Sequence, residues 1–413
     1  MTYGSCDDAS DSERRDGSDG SKYHVKCDEA TMWLLSTRVT LVAVAAALVV
    51  AAAGAVLLAA HLVPAVSSSD GRLLRAPKRP PPPPPPPRAP GALRLVVDTD
   101  AGTDDAAALF LLLGRARRRP VPAVHVAAIT CVQGNTGVRN VVANVLKVLQ
   151  TAGRLDVPVY AGASQSLLVT PPSDNYFGAD GFGDVPYPDP PDPAALVRKC
   201  HAANALVELV DKYPGEITVV CLGPLTNLAL AIRLDPMFLT KVQRVVVLGG
   251  SAEGVGNMKP GVEFNFYMDP EADFIVLNST DTTNSKIKPI DLVPWETIKE
   301  HLNITMDWRA SKLGALAGAA VRLLNAAERK QLLGGSPGSQ WLSADPVAMA
   351  VALYPDLVKL AGLYRADVET RGVAARGTLL VDYGGLTGAS PNVRLVQRVD
   401  QDSLQEVLLE NLS

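Results

Sequence analysis

The fold this chain predicts is an α/β body with a mostly parallel central sheet flanked by helices, preceded by a single transmembrane helix. Three observations carry it. From about residue 93 onward, strand-like apolar runs alternate with helix-like segments, the pattern that crossover connections impose on a parallel sheet. Several of those runs end in Asp, Asn or Gly, and open sheets hold their ligands at the carboxyl ends of strands. A separate stretch, residues 39–63, is interrupted only by Thr40, Gly54 and His61 and is long enough to span a bilayer.

The front end divides into three pieces. Residues 1–37 form a tail whose first thirty or so positions are rich in Asp, Ser, Gly and Arg, and it has too little apolar surface to fold. Residues 38–63 read as an uncleaved signal anchor, because a cleavable signal peptide would carry a shorter apolar core nearer the N-terminus. Residues 64–92 form a proline-rich linker with an unbroken proline run at 80–87, an extended and stiff spacer. Lys22, Lys26 and Arg38 on one side are matched by Arg72, Arg75, Lys78 and Arg79 on the other, so the positive-inside rule does not decide orientation. The sequons at Asn278, Asn303 and Asn411 favour a type II arrangement with the body lumenal or extracellular.

The body, 93–413, opens with LRLVVDTDAGTDDAAALFLLL. An apolar strand at 93–97 runs into Asp98, Asp100, Asp104 and Asp105, with Gly102 to turn the chain and Thr103 to cap a helix through 106–113. Strands follow at 124–132, 157–161, 217–222, 245–248 and 287–290, with helices at 137–152, 194–213 and 347–353. Cys131 and Cys221 sit inside apolar runs and read as buried free thiols, and the five cysteines form no disulfide or CxxC pattern. A net charge of -4 leaves no electrostatic footprint for nucleic acid.

Four carboxylates within eight residues repel one another unless a cation or bound hydroxyl groups compensate. All-oxygen ligation suits calcium or magnesium rather than zinc. The bland alternative is an acidic turn capping a helix, where Asp104 and Asp105 would complement the helix dipole. A dinucleotide-binding turn would be glycine-rich, and this one would repel a pyrophosphate. A dehalogenase-like phosphatase motif needs Thr or Val where Gly102 stands.

The string DTDAGTDD resembles the DxDxGxDD signature that opens the nucleoside hydrolases, and an ordered series of later motifs extends the resemblance over nearly the whole body. Asn135 in Gln133-Gly134-Asn135, the turn 223–227 (GPLTN), Asn257, Glu263 and Asn265 in GGSAEGVGN and EFNF, and Asp345 before an apolar helix all stand where that family carries site residues. The resemblance implies calcium held by Asp100, Asp105, the Leu222 carbonyl and Asp345, with Asp98 supporting the shell from behind. Asp104 would bind the ribose 2′-hydroxyl, and Asn135, Asn257, Glu263 and Asn265 would hold the sugar. Asp100 would take the proton of the attacking water. The implied activity is hydrolysis of the N-glycosidic bond of ribonucleosides to base and ribose, in a chain that could form a homo-oligomer.

Two positions depart from the family pattern. Ala344 and Phe177 occupy places where many members carry histidines that can protonate the departing base, and none of the five histidines here lies in a recognised motif. Stacking on Tyr176, Phe177 or Trp341 is one substitute. A membrane-tethered ribose- or nucleoside-binding protein without turnover is the alternative of another class, although a pure binder has no need of Asp100. Base preference is not legible.

Overall fold

The computed structural model describes residues 92–118, 122–280, 286–336 and 338–413. Among the described residues ten strands form one sheet: β1 (Leu93–Thr99), β2 (Val124–Cys131), β3 (Val159–Ala161), β4 (Val197–Arg198), β5 (Ile217–Cys221), β6 (Arg244–Leu248), β7 (Ile290–Val293), β8 (Val358–Val368), β9 (Leu379–Asp382) and β10 (Val393–Val399). Their order is β4-β3-β2-β1-β5-β6-β7-β10-β8-β9. Every pairing from β4 to β10 is parallel, and only β8, antiparallel to both β10 and β9, runs against the rest.

The central strands are continuous runs of Val, Leu and Ile because both faces of the sheet are covered. Leu95 and Val97 belong to one apolar layer and Val96 to the other, the alternation a pleated strand imposes. The helix Thr103–Arg117 buries Ala106 through Gly114 without a break. It packs between the helices Asp345–Leu353 and Gln401–Leu412.

Several expectations are corrected here. The helix expected at 194–213 is interrupted: a turn at Pro193–Leu196 leads into β4, which pairs with β3, and the helix proper is Ala202–Lys212. His201 restarts it, accepting the Ala203 N–H at Nδ1 (3.2 Å), so edge pairing and a cap override helix propensity. The strand expected at 287–290 begins only at Ile290, because Pro289 has no N–H for the ladder. Gly102, not Thr103, is the N-cap of the first helix. Cys131 and Cys221 are buried free thiols as expected, while Cys6 and Cys27 lie outside the described residues.

The reading as a single-pass membrane protein with an external body is also corrected. No helix among the described residues is long and apolar enough to cross a membrane, and residues 39–63 lie outside them. The sequons lend that reading little. Asn411 is 2% exposed and donates to the Tyr354 hydroxyl (3.0 Å) and the Val407 carbonyl (2.8 Å). Asn278 is engaged by Asp367 and Arg365.

Candidate active site

The strand order reverses between β1 and β5, so a crevice opens there at the carboxyl ends of the sheet. The acidic loop leaves β1 at that point. Ala101 takes a left-handed conformation (φ 39°), unusual for a residue with a Cβ. Its N–H donates to Thr99 Oγ1 (3.2 Å) and its carbonyl accepts from Asn144 Nδ2 (3.2 Å), which holds the strain in place.

Each acid has a distinct setting. Asp98 is fully buried; one carboxylate oxygen accepts from Thr130 Oγ1 and from Asn227 Nδ2 (2.8 Å), and the other has no partner. Burial lifts its pKa to about 7. Asp105 accepts from the Thr99 hydroxyl, the Gly102 N–H (2.8 Å) and Asn135 Nδ2 (3.3 Å). Asp104 accepts the Ala344 N–H at 3.4 Å, has one buried oxygen without a partner, and is raised to about 7 by burial and by Asp105. Asp100 accepts the Asn135 N–H (2.7 Å); burial and then the charges of Asp105 and Asp104 push it well above the carboxylate range. Asp345, from the distant helix Asp345–Leu353, is pushed well up by burial and by the same acids.

Oxygens of Asp104, Asp105 and Asp345 all lie within 4.8 Å of one another. Such a group, largely buried and mutually repelling, fits a hard cation: the donors are all oxygens, and the orphaned Asp104 oxygen lacks any hydrogen-bond donor. Asp104 stands in this tight trio where the resemblance has Asp100. Asp100 is instead boxed in by glycines. A Cβ at Gly134 would lie 2.0 Å from Asp100 Oδ2, and one at Gly223 would lie 2.9 Å from its Cγ.

The acids floor a cavity of about 230 Å³. Asp100, Asp104, Asn135, Leu222, Asn257, Glu263, Asn265 and Asp345 line it, whereas Asp98 and Asp105 lie behind its surface. The Leu222 carbonyl accepts from Asn265 Nδ2 (2.7 Å), which also donates to Leu248 (3.1 Å), and one lone pair of Leu222 remains. Glu263 caps the helix Phe264–Met268, accepting the N–H groups of Gly250 (2.8 Å), Asn265 (2.9 Å) and Phe266 (3.2 Å). Burial raises it to about 7. Tyr176, Phe177, Trp295, Leu342 and Ala344 supply aromatic and apolar wall.

The family model described as inosine-uridine preferring nucleoside hydrolase matches residues 95–406. The chain belongs to that family. It is 32% identical to uridine nucleosidase 1 of Arabidopsis thaliana over 70% of this chain and 82% of that one. It is 30% identical to the pyrimidine-specific ribonucleoside hydrolase RihA of Enterobacter sp. (strain 638), over 78% of this chain and 98% of that one. Among solved structures, an inosine-guanosine nucleoside hydrolase superposes with a TM-score of 0.70 at 30% identity, covering 77% of this chain and 98% of the other. Nucleoside hydrolases are metal-dependent N-glycosyl hydrolases that cleave the base from a ribonucleoside, and the aspartate cluster here could hold the metal.

One side of this nucleoside hydrolase's cavity departs from the pattern expected of the family. Phe177 and Ala344 both line it, and no histidine among the described residues does. His125 lies on β2, His201 caps a helix, and His301 pairs with Glu253 (3.0 Å). Trp341, one expected stacking partner, is instead buried against Trp308 and Arg309, and Trp295 from the end of β7 takes the wall position. The phosphatase alternative also fails locally, since its nucleophile would be Asp98, which does not reach the cavity.

Sequence reasoning missed the residues that hold the acids. Asn227 is fully buried, donates to Asp98 and to the Cys131 carbonyl (3.0 Å), and accepts the Ala163 N–H (2.8 Å). Its place in the GPLTN turn was the available signal. Glu296 likewise pins the glycine-rich loop that carries Asn257, accepting from Ser251, Ala252 (2.9 Å) and Val255 (3.2 Å).

Proposed function

We propose that the body from residue 93 onward hydrolyses ribonucleosides to free base and ribose in a calcium-dependent reaction, with Asp100 as general base. The observation that carries this reading is the cluster of buried, mutually repelling carboxylates on the floor of a nucleoside-sized cavity. Following the family pattern, we assign Asp100, Asp105, the Leu222 carbonyl and Asp345 as the ligands, with Asp104, the third member of the tight cluster, beside them, and Asp98, held by Thr130 and Asn227, supporting the shell from behind. When bound, the cation supplies Lewis acidity, lowering the pKa of water and fixing its position.

The chain's own residues do the rest. Asp104, Asn135, Asn257, Glu263 and Asn265 bind the sugar hydroxyls and orient the anomeric carbon. Cleavage passes through a ribosyl cation of oxocarbenium character, and the concentration of negative charge under the sugar stabilises it more than the ground state. Asp100, clamped by the Asn135 N–H and the two glycines, accepts the proton of the attacking water.

A binding protein without turnover is the second reading, favoured by Phe177 and Ala344 where histidines would stand. Free ribose released from inosine and uridine, with and without chelator, separates the two. Turnover that chelation stops and calcium restores is expected, with Asp100→Asn losing about a thousandfold in kcat. Binding of nucleoside without ribose release would leave the second reading.

A further inference from the structure

Resting on that hydrolase reading, one requirement still has no residue. When the C1′–N bond breaks, its electron pair stays on the base nitrogen, and the base leaves slowly unless a proton reaches it. The titratable side chains lining the cavity fall into two groups. Asp100, Asp104, Glu263 and Asp345 form the floor that serves the sugar and the cation. Asp174 and Tyr176 come from an exposed irregular segment at the cavity's rim, and Tyr176 is the only hydroxyl-bearing side chain among the lining residues.

We infer that Tyr176 is the proton donor to the departing base. Its ring meets Phe177 edge-on (centroids 4.8 Å apart, 81° between planes), so two consecutive residues both face the cavity. Asn175, in the left-handed region at φ 52°, turns the chain to allow this. The Tyr176 backbone is anchored on both sides: its N–H donates to Asp174 Oδ1 (2.9 Å), and its carbonyl accepts from Gln331 Nε2 (3.4 Å). The residue is 60% exposed, so an entering base can reach it from the cavity side.

The chemistry suits the task. A phenol is protonated across the physiological range, and its strength is comparable to that of the N–H acids formed when purines and pyrimidines depart. Partial burial and the carboxylates of Asp104 and Asp174 raise its pKa further, so the proton stays until negative charge develops on the base. In the step itself the C1′–N bond breaks with both electrons going to nitrogen, the phenolic O–H breaks, and an N–H forms on the base. Water oxygen bonds to C1′ and its proton goes to Asp100. Solvent then returns a proton to the exposed phenolate and takes one from Asp100, so nucleoside and water give ribose and base.

Tyr176→Phe keeps the ring and removes only the hydroxyl. With calcium present, kcat for inosine and uridine should fall about a hundredfold with KM little changed. Hydrolysis of p-nitrophenyl riboside, whose phenolate departs without a proton, should stay near the wild-type rate. Wild-type kcat on inosine and uridine, a change confined to KM, or an equal loss on all three substrates would each overturn the assignment, because a mere wall residue has no leaving-group dependence. A wild-type chain that cleaves none of the three would instead sink the hydrolase reading on which this rests.

Discussion

The two ends of the cavity are built on different principles. At the floor, every acid projects from or beside regular structure: the end of β1, the first turn of the helix Thr103–Arg117, and the start of the helix Asp345–Leu353. Each is fixed by hydrogen bonds or by glycine clearance, and the carboxyls of Asp98, Asp100, Asp105 and Asp345 are almost wholly buried. The rim is made largely of the irregular segment that carries Asp174, Tyr176 and Phe177, and the Tyr176 side chain stands out in solvent. The floor must hold repelling charges at fixed separations, which only an over-determined scaffold can do. The rim needs only to cover a flat base and supply a proton, a lighter demand on its scaffold.

If that contrast is right, the largest effect comes from disturbing the floor by the smallest change. Gly134→Ala adds one methyl group at a position whose Cβ would sit 2.0 Å from Asp100 Oδ2. Asp100 must swing away, and misplacing a catalytic group by about 1 Å costs on the order of a hundredfold in kcat. Rates on inosine and on p-nitrophenyl riboside should fall together, because both need the attacking water. Wild-type kcat in Gly134→Ala would show that the floor tolerates movement and would erase the comparison.

The same contrast predicts an uneven pH dependence of stability. Asp98, Asp104 and Glu263 are each held near 7 by burial, above the ordinary carboxyl range of the unfolded chain. In chelator the folded chain therefore binds more protons than the unfolded one between about pH 4 and pH 7. Its stability is complete below that window and is lost as pH rises through about 7, by up to about 1.4 kcal/mol per pH unit for each acid. Melting temperatures in chelator should drop between about pH 4 and pH 7, and calcium should shrink the drop by replacing protons with a cation. A flat or rising profile in chelator would mean that the acids are not strained.

How much of this was legible in the sequence follows the same division. Asp98, Asp100, Asp104 and Asp105 announce themselves because four acids crowd one strand end, and Asp345, Asn135, Asn257, Glu263 and Asn265 stand in motifs with a fixed order. All but Asp98 and Asp105 reach the cavity. Residues that act through tertiary proximity spoke faintly or not at all: Asn227, 129 positions from Asp98, had only its place in the GPLTN turn to mark it, and Thr130, 32 positions away, had none. Trp295 was overlooked and Trp341 favoured because an aromatic residue's direction depends on which layer its segment joins. The interrupted helix at 194–213 failed for a related reason, since pairing at a sheet edge is decided by the neighbouring strand and not by local propensity.

The smallest effect, and the most specific to the cation, should come from Asp105. Its carboxylate is one of the three within 4.8 Å, yet it lies behind the cavity surface, so it can serve the metal without serving the sugar. Calcium at about tenfold its Kd should stabilise the wild-type chain by about 1.4 kcal/mol, a shift of a few degrees in Tm. Asp105→Ala removes one of the three clustered carboxylates and should abolish that shift. The variant also loses the acceptor for the Thr99 hydroxyl and the Gly102 N–H, so its baseline Tm will fall whatever the metal does. The quantity that decides is therefore the difference between calcium and chelator within each protein. An increment in Asp105→Ala equal to that of the wild type would remove Asp105 from the ligand set and leave its role as a cap of the acidic loop.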